Sequence, residues 1–192
     1  GVECGYEPVE HQTMDDWRRV FETNVFGLVA ATQLAIPALR AASGGIVCNV
    51  TSSSLLAPVP SYGVYRASKA AVSALGETLV AALAPFGIRV LDVMPGPVET
   101  DMLEGSAREP EAARHAAYAP MAKRVHEGRL AVEGQSTPAP VAAAWIADAI
   151  LDDAAPLRVP CDPLGEQMIR AWREKSDEEN LRGMLPAWWP GD

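Results

Sequence analysis

A hydroxyl, a phenol and an ammonium stand at spacings that could bring them together for chemistry: Ser52, Tyr65 and Lys69. Tyr65 and Lys69 are four residues apart, so on a helix one lies above the other on a single face. A free phenol has a pKa of about 10 and a free lysine about 10.4, so an isolated tyrosine is a poor base near neutrality. A neighbouring ammonium favours the phenolate, and the positive end of a helix acts in the same direction. Such a tyrosine can give a proton to a carbonyl oxygen, or take one from an alcohol, while hydride moves at carbon. Ser52 could hold the same oxygen by a hydrogen bond. That is half of an alcohol/ketone interconversion; the other half needs a hydride carrier, which side chains do not supply.

The elements that must position the trio are legible around it. Residues 46–50, Ile-Val-Cys-Asn-Val, form an apolar run too short for anything but a strand or a buried helical turn. Hydroxyls follow at 51–54, and Pro58 and Pro60 prevent a continuous helix across the gap. Ser61 is the candidate cap of a helix over 62–83, with Val72, Leu75, Leu79 and Leu83 along one face and Pro85 and Gly87 closing it. Residues 88–94 form the next strand, whose apolar composition suits a parallel strand covered on both faces. Pro95-Gly96-Pro97 then turns the chain at that strand's carboxyl end, where open α/β sheets place their chemistry. Upstream, Thr13 and Asp16 make a capping-box variant that opens a helix over about 14–42, ended by Gly44 and Gly45. On it Trp17, Phe21, Asn24 and Leu28 form one stripe, and Val25, Val29, Ile36 and Leu39 a second. Two apolar stripes predict a helix buried on both sides, against the sheet and against another helix or subunit. Pro37 is a tolerated late interruption. Asn24, a polar member of an apolar stripe, is on position alone a buried amide satisfied by nearby backbone.

The 192 residues suffice for one domain with a sizeable core, and 48% hydrophobic with 21% charged residues is ordinary for a globular chain. A net charge of −9 argues against a nucleic-acid partner, since phosphate binding needs a basic surface. Cys4, Cys48 and Cys161 are odd in number and widely spaced, which reads as unpaired thiols rather than a disulfide framework or a metal site. His11, His115 and His126 lack metal-ligand spacing and read as surface residues. Neither a signal-peptide pattern nor an apolar run of membrane length is seen, so the expected setting is cytoplasmic, with no membrane partner.

The motifs together resemble the short-chain dehydrogenase/reductase family. N-V-T-S at 49–52, Y-R-A-S-K-A-A-V at 65–72, Asn24 within W-R-R-V-F-E-T-N-V-F-G, and G-I-R-V-L-D-V-M-P-G-P-V-E-T ending at Thr100 stand in the family's order. The resemblance implies an α/β fold, a Rossmann-like doubly wound parallel sheet, of which this chain is the C-terminal catalytic portion only. It implies an NAD(P)-dependent oxidoreductase acting on a small alcohol or ketone, with Asn24, Ser52, Tyr65 and Lys69 as catalytic set. Asn24 would carry a structural water in a proton relay past the lysine. Tyr65, Lys69, Pro95, Gly96, Val98 and Thr100 would contact the cofactor, NAD or NADP, Lys69 through the nicotinamide ribose and Val98 and Thr100 through the carboxamide. It also implies a homodimer or homotetramer through the helices at 14–42 and 62–83, and a substrate lid over 101–138 with Met102, Leu103, Tyr118 and Met121 facing substrate; a plain surface helix pair explains those residues as well.

Beyond the lid the pattern predicts a helix over 141–151, a short strand at 157–159 and a helix or tail over 164–175, with Trp188 and Trp189 beside Pro190 as a terminal aromatic hook. The chain contains no G-x-G, whereas the family places a glycine-rich turn after its first strand to present amides to pyrophosphate. Gly1 matches the last residue of the family's N-N-A-G motif. A single partial Rossmann domain over 1–192 is therefore expected, lacking the pyrophosphate half of roughly 80–90 residues, and inactive by itself. Two other classes fit the Tyr/Lys pair: a sugar-nucleotide epimerase or dehydratase, and a non-catalytic dimerising fragment. The P-G-P-V-E-T segment and the Asn24 segment match simple reductases better than the first, and an intact Asn24, Ser52, Tyr65 and Lys69 set speaks against the second.

Overall fold

The computed structural model describes residues 1–106 and 108–189. Residue 107 of the 101–138 segment and Pro190 beside the terminal tryptophans lie outside the described residues. Three parallel strands form the sheet in the order β1 (Gly45–Val50), β2 (Ile88–Val93), β5 (Arg158–Val159), with β2 in the middle. The β1–β2 register runs from Gly45 opposite Ile88 to Val50 opposite Val93, so both strands end level and their carboxyl ends form one rim. A second, two-residue parallel pairing joins β3 (Val98–Glu99) to β4 (Thr137–Pro138). It pins the two ends of the intervening excursion together.

Period-two alternation in β2 sends its side chains to two separate cores. Ile88 and Val90 face α2 (Gly27–Ala41) and α3 (Gly63–Leu83), packing with Leu79, Leu83, Ile36 and Leu39. Leu91 and Val93 face the opposite way onto α6 (Ala139–Leu151), with Ala142, Trp145, Ile146 and Cys161. The fold is thus α/β, Rossmann-like and wound on both faces of a parallel sheet. Among the described residues β1 has a strand neighbour on one side only.

The first helical stretch begins where the Thr13 pattern places it. In α1 (Met14–Phe21) the Thr13 hydroxyl accepts from the Asp16 amide at 3.1 Å and donates to the Asp16 carboxylate at 2.7 Å. The helix does not run on uniformly: residues Glu22–Phe26 form a π turn before α2. One inserted residue rotates the downstream helix about its axis, and Asn24 lies inside that turn. The residues of both predicted stripes are buried or half-buried: Trp17 packs with Val20 and Val64, and Ile36 and Leu39 reach the sheet core. Phe26 and Leu34, outside both stripes, are 56% and 81% exposed in the single chain. Pro37 sits within α2 without ending it.

Ser61 does not cap α3. Its backbone is left-handed (φ 68°), and Tyr62 occupies the cap position without a side-chain bond. The turn through Pro58 and Pro60 delivers the chain so that Arg66 N bonds Tyr62 O at 2.9 Å and starts the helix. By length and composition alone, the helical stretches Met14–Ala41 and Gly63–Phe86 are long and apolar enough to cross a membrane, although neither is an unbroken apolar run. Both owe this to many alanines and few charges, and α3 spends its apolar face on the sheet. The excursion from residue 101 carries α4 (Asp101–Ser106) and α5 (Ala119–Glu133); α7 (Pro163–Arg173) and an unforeseen α8 (Asp177–Trp188) complete the chain. Of the aromatic hook, Trp188 is half-buried beside α5, where a Cβ on Gly128 would lie 3.7 Å from its ring, and Trp189 is exposed.

Leu83 is 4% exposed between α3 and the sheet. Leu83→Ala is expected to lower unfolding free energy by about 3 kcal/mol, from lost transfer and a residual cavity. Denaturant titration with the slope held common checks this; a change under about 1 kcal/mol would show that the α3–sheet core packs more loosely than described.

Candidate active site

The end of β1 is held against β2 past the last ladder pair. Thr51 N donates to Val93 O and Ser53 N to Pro95 O, each at 2.8 Å. Between these bonds Ser52 heads a short 3-10 turn, its Oγ accepting from Ser54 N at 3.1 Å, which leaves the hydroxyl proton to donate elsewhere. Arg66, in the first turn of α3, reaches back to the carbonyls of Ser54 and Leu55 at 2.9 and 3.0 Å. These bonds fix the helix start to the hydroxyl loop and place the phenol of Tyr65 beside the Ser52 hydroxyl. One turn further on, the Lys69 ammonium lies 5.7 Å from the centre of the Tyr65 ring and donates to Val50 O at 2.8 Å. The strand end and the helix start thus bring Ser52, Tyr65 and Lys69 to one rim.

The electrostatics differ from the simple expectation that Lys69 lowers the phenol. Burial pushes the Tyr65 phenol up; the Ser52 hydrogen bond opposes this, and the Glu3 carboxylate adds to the rise. Burial likewise pushes the Lys69 ammonium down, opposed by the Asp92 carboxylate. Desolvation is the largest influence on both, because each charged form has lost most of its water.

Asn24 faces the N-terminal segment from the π turn. Its Oδ1 accepts from Val2 N at 2.7 Å, and its Nδ2 donates to Val2 O at 2.8 Å and to Ser68 Oγ at 3.0 Å. Ser68 in turn donates to Tyr65 O, so the amide braces the helix that carries the phenol. Gly1 is wedged between Asn24 and Lys69: a Cβ there would lie 2.9 Å from Asn24 Oδ1 and 3.2 Å from Lys69 Nζ. A side chain there would force the Asn24 amide to shift.

Above the rim opens a cavity of about 390 Å³. Ser52, Tyr65 and Lys69 line it together with Pro95, Gly96, Val98, Thr100, Met102 and Leu103. Ala142 and Ile146 of α6 supply an apolar wall. Tyr118 and Met121 do not line it. Met121 is buried on α5, and Tyr118 stands beside Glu10. The excursion packs onto the N-terminal segment, where Ala112 N bonds Tyr6 O and Tyr118 meets Glu10. That packing is itself specific: Tyr6 stacks on Tyr62 at 4.8 Å, and Arg129 of α5 lies over both rings at 4.0 and 4.8 Å.

Sequence reasoning overlooks Glu3, Tyr62 and Cys161, which also line the cavity, and Asp162, which shapes it. Asp162 is fully buried; it accepts from Gly96 N at 2.6 Å and from Gly165 N at 2.7 Å, so one carboxylate both caps α7 and fixes the Pro95-Gly96-Pro97 turn. An Asp followed by Pro is a helix-start signal, so Asp162-Pro163 could have been found. The histidines are less isolated than their spacing suggests: His11 and His115 stack at 3.7 Å, and His115 meets Glu7 at 2.9 Å. Among the described residues no cluster of three or more His, Cys, Asp or Glu could hold a metal.

Residues 1–111 match the family model described as short chain dehydrogenase. The chain is 36% identical over 108 residues to the cyclopentanol dehydrogenase of Comamonas sp. (strain NCIMB 9872), a match covering 56% of this chain and 43% of that protein. It is 37% identical over 107 residues to an NAD-dependent oxidoreductase of Mycobacterium tuberculosis, covering 55% of this chain and 39% of the relative. The matched segments therefore span well under half the length of these curated relatives. The structure is similar to that of a short-chain dehydrogenase from Streptomyces avermitilis, with a TM-score of 0.74 and 27% identity over 98% of this chain and 65% of that one.

All four tyrosines are pushed above the ordinary phenol value of 10.0, Tyr6, Tyr62 and Tyr65 chiefly by burial and Tyr118 by the Glu10 carboxylate; Tyr62 reaches about 12. An acid whose folded pKa is raised stays protonated while the unfolded chain ionises, so its contribution to stability holds below the unfolded pKa and is lost as pH rises above it. Ultraviolet difference titration is expected to show less phenolate in the folded chain than in the denatured chain at pH 10.0, where the denatured chain is half ionised. Coincident folded and denatured curves would contradict the burial described.

Proposed function

The chain belongs to the short chain dehydrogenase family, and from that premise we propose that it carries the catalytic half of an NAD(P)-dependent oxidoreductase interconverting a secondary alcohol and a ketone. The observation that carries the reading is the convergence of Ser52, Tyr65 and Lys69 on one cavity at the carboxyl rim of a parallel sheet. Similarity to a cyclopentanol dehydrogenase favours a small secondary alcohol, and similarity to an NAD-dependent oxidoreductase favours a nicotinamide cofactor. NAD and NADP are both compatible, because residues that would select the adenosine ribose are not among those matched here.

The residues present fit the nicotinamide end of such a cofactor. Gly1 leaves a cradle that a Cβ would fill, Lys69 Nζ lines the cavity beside it, and the Asp162-held turn presents backbone near Val98 and Thr100. When bound, the nicotinamide supplies the hydride acceptor or donor. The chain's own residues handle the oxygen. The Ser52 hydroxyl orients the substrate oxygen, and Tyr65 takes its proton during oxidation or returns it during reduction. Lys69 holds positive charge near the phenol, which lowers the cost of the transient phenolate in a buried site. Asn24 steadies the helix behind them through its bonds to Val2 and Ser68. Ala142 and Ile146 keep water from the reacting carbon. Phe26 of the π turn and Leu34 of α2, both exposed, support self-association through the long helices.

The chain contains no G-x-G turn to hold pyrophosphate, and by itself it is proposed to be inactive. Assays therefore use a fusion to the glycine-rich strand–turn–helix segment of a relative, with the chain alone as control. Tyr65→Phe is expected to reduce oxidation of cyclopentanol by roughly 10²–10⁴-fold while leaving dinucleotide affinity within about twofold. Lys69→Ala is expected to weaken both. Calorimetric titration beside steady-state rates separates the two outcomes; an active Tyr65→Phe enzyme would overturn the assignment.

A further inference from the structure

The central strand of an otherwise aliphatic face ends in a carboxylate. On β2, Ile88 and Val90 pack against α3, and Asp92, next on the same face, is 0% exposed. The Thr51 hydroxyl donates to one of its oxygens and the Ser73 hydroxyl to the other. Arg158 of β5 approaches with Nε 4.0 Å away, while its own guanidinium also pairs with Glu77 and lies over Trp172. Neither donor is incidental to the site. Thr51 stands between Val50, whose carbonyl receives Lys69, and Ser52. Ser73 lies one turn beyond Lys69 on the same face of α3.

We propose that Asp92 is a positioning residue for the site: its buried carboxylate ties the strand end that presents Ser52 to the helix that presents Tyr65 and Lys69, and it is the anion set behind the Lys69 ammonium. A buried carboxylate is costly unless hydrogen-bonded and paired, and a valine would satisfy packing on this face alone. What a carboxylate adds is two directed acceptors and a negative charge. The catalytic consequence rests on the function proposed above; the electrostatic relation between Asp92 and Lys69 does not.

Among the described residues, the charged and titratable groups around Lys69 include Glu3, which lines the same cavity. Tyr65 lies on its own helix, Asp92 on β2, and the Gly1 amine on the N-terminal segment. Arg158, backed by Glu77, faces Asp92 from β5. Burial pushes Lys69 down, and Asp92 is the group that opposes it. Removing the Asp92 charge must therefore lower the Lys69 titration further. Removing the Arg158 charge, which offsets Asp92, must raise it.

The chain has three lysines, Lys69, Lys123 and Lys175, so carbon-13 labelling at Cε yields three resolvable signals, with Lys69 assigned by loss in Lys69→Arg. In the chain as it stands, Asp92→Asn is expected to move the Lys69 titration down. Arg158→Met, a change at a partly exposed position, is expected to move it up, and provides the test should Asp92→Asn not fold. A Lys69 titration unmoved by Asp92→Asn, or lowered by Arg158→Met, would overturn the proposal. The titration needs neither cofactor nor turnover, so an inactive fusion would count against the proposed function, whereas an unmoved Lys69 would count against Asp92.

Discussion

One hydrogen bond organises the site: the Lys69 ammonium donating to the Val50 carbonyl at 2.8 Å. It joins the last residue of β1 to the second turn of α3, the two elements that carry every reacting group. A lysine elsewhere on that face would leave the carbonyl at the sheet rim to water, and the helix free to rotate about its axis. With the bond in place, and with Arg66 gripping the Ser54 and Leu55 carbonyls one turn earlier, α3 is tied to the strand end at two points. Tyr65 immediately precedes the first of those points and has little freedom left. The parallel β1–β2 register then sets the opposite wall, since it brings the Pro95 turn level with Ser52.

The same geometry explains why the site is electrostatically unfavourable at rest. Tyr65 and Lys69 are both buried enough that water loss outweighs the Ser52 hydrogen bond to one and the Asp92 charge near the other, so each is pushed toward its neutral form. A catalytic phenol needs the phenolate accessible only in passing, and the surrounding charges decide how far from reach it lies. Glu3 raises the phenol, and Asp92 sustains the ammonium. The arrangement separates two tasks: hydroxyls and carbonyls set positions at short range, and carboxylates on neighbouring elements set the field.

Much of this is legible in the sequence because it depends on periodicity and local chemistry. The strands at 46–50 and 88–94, the helix at 62–83 and the cap at Thr13 all follow from spacing and side-chain type, and the structure places them within about two residues of those bounds. The features hidden from the sequence depend on tertiary packing. Nothing in Glu22–Phe26 announces a π turn, since its residues favour an ordinary helix equally well. Tyr118 and Met121 have the residue types of a cavity wall, but an apolar residue in a surface excursion does not say which neighbour it faces. Ser61 has the chemistry of a cap, yet two prolines turn the chain so that Tyr62 takes the position. The role of Asp92 has a local trace, a lone acid in an apolar strand. Its partners Thr51, Ser73 and Arg158 come from three other elements, and only the fold brings them together.

The most direct test of the catalytic reading is a crystal structure of the chain fused to a glycine-rich segment, with nicotinamide cofactor and a bound secondary alcohol. The account predicts the alcohol oxygen within about 3 Å of both the Ser52 and Tyr65 hydroxyls, with Lys69 still bonded to the Val50 carbonyl. An alcohol seated elsewhere in the cavity, with its oxygen out of reach of Tyr65, would contradict it.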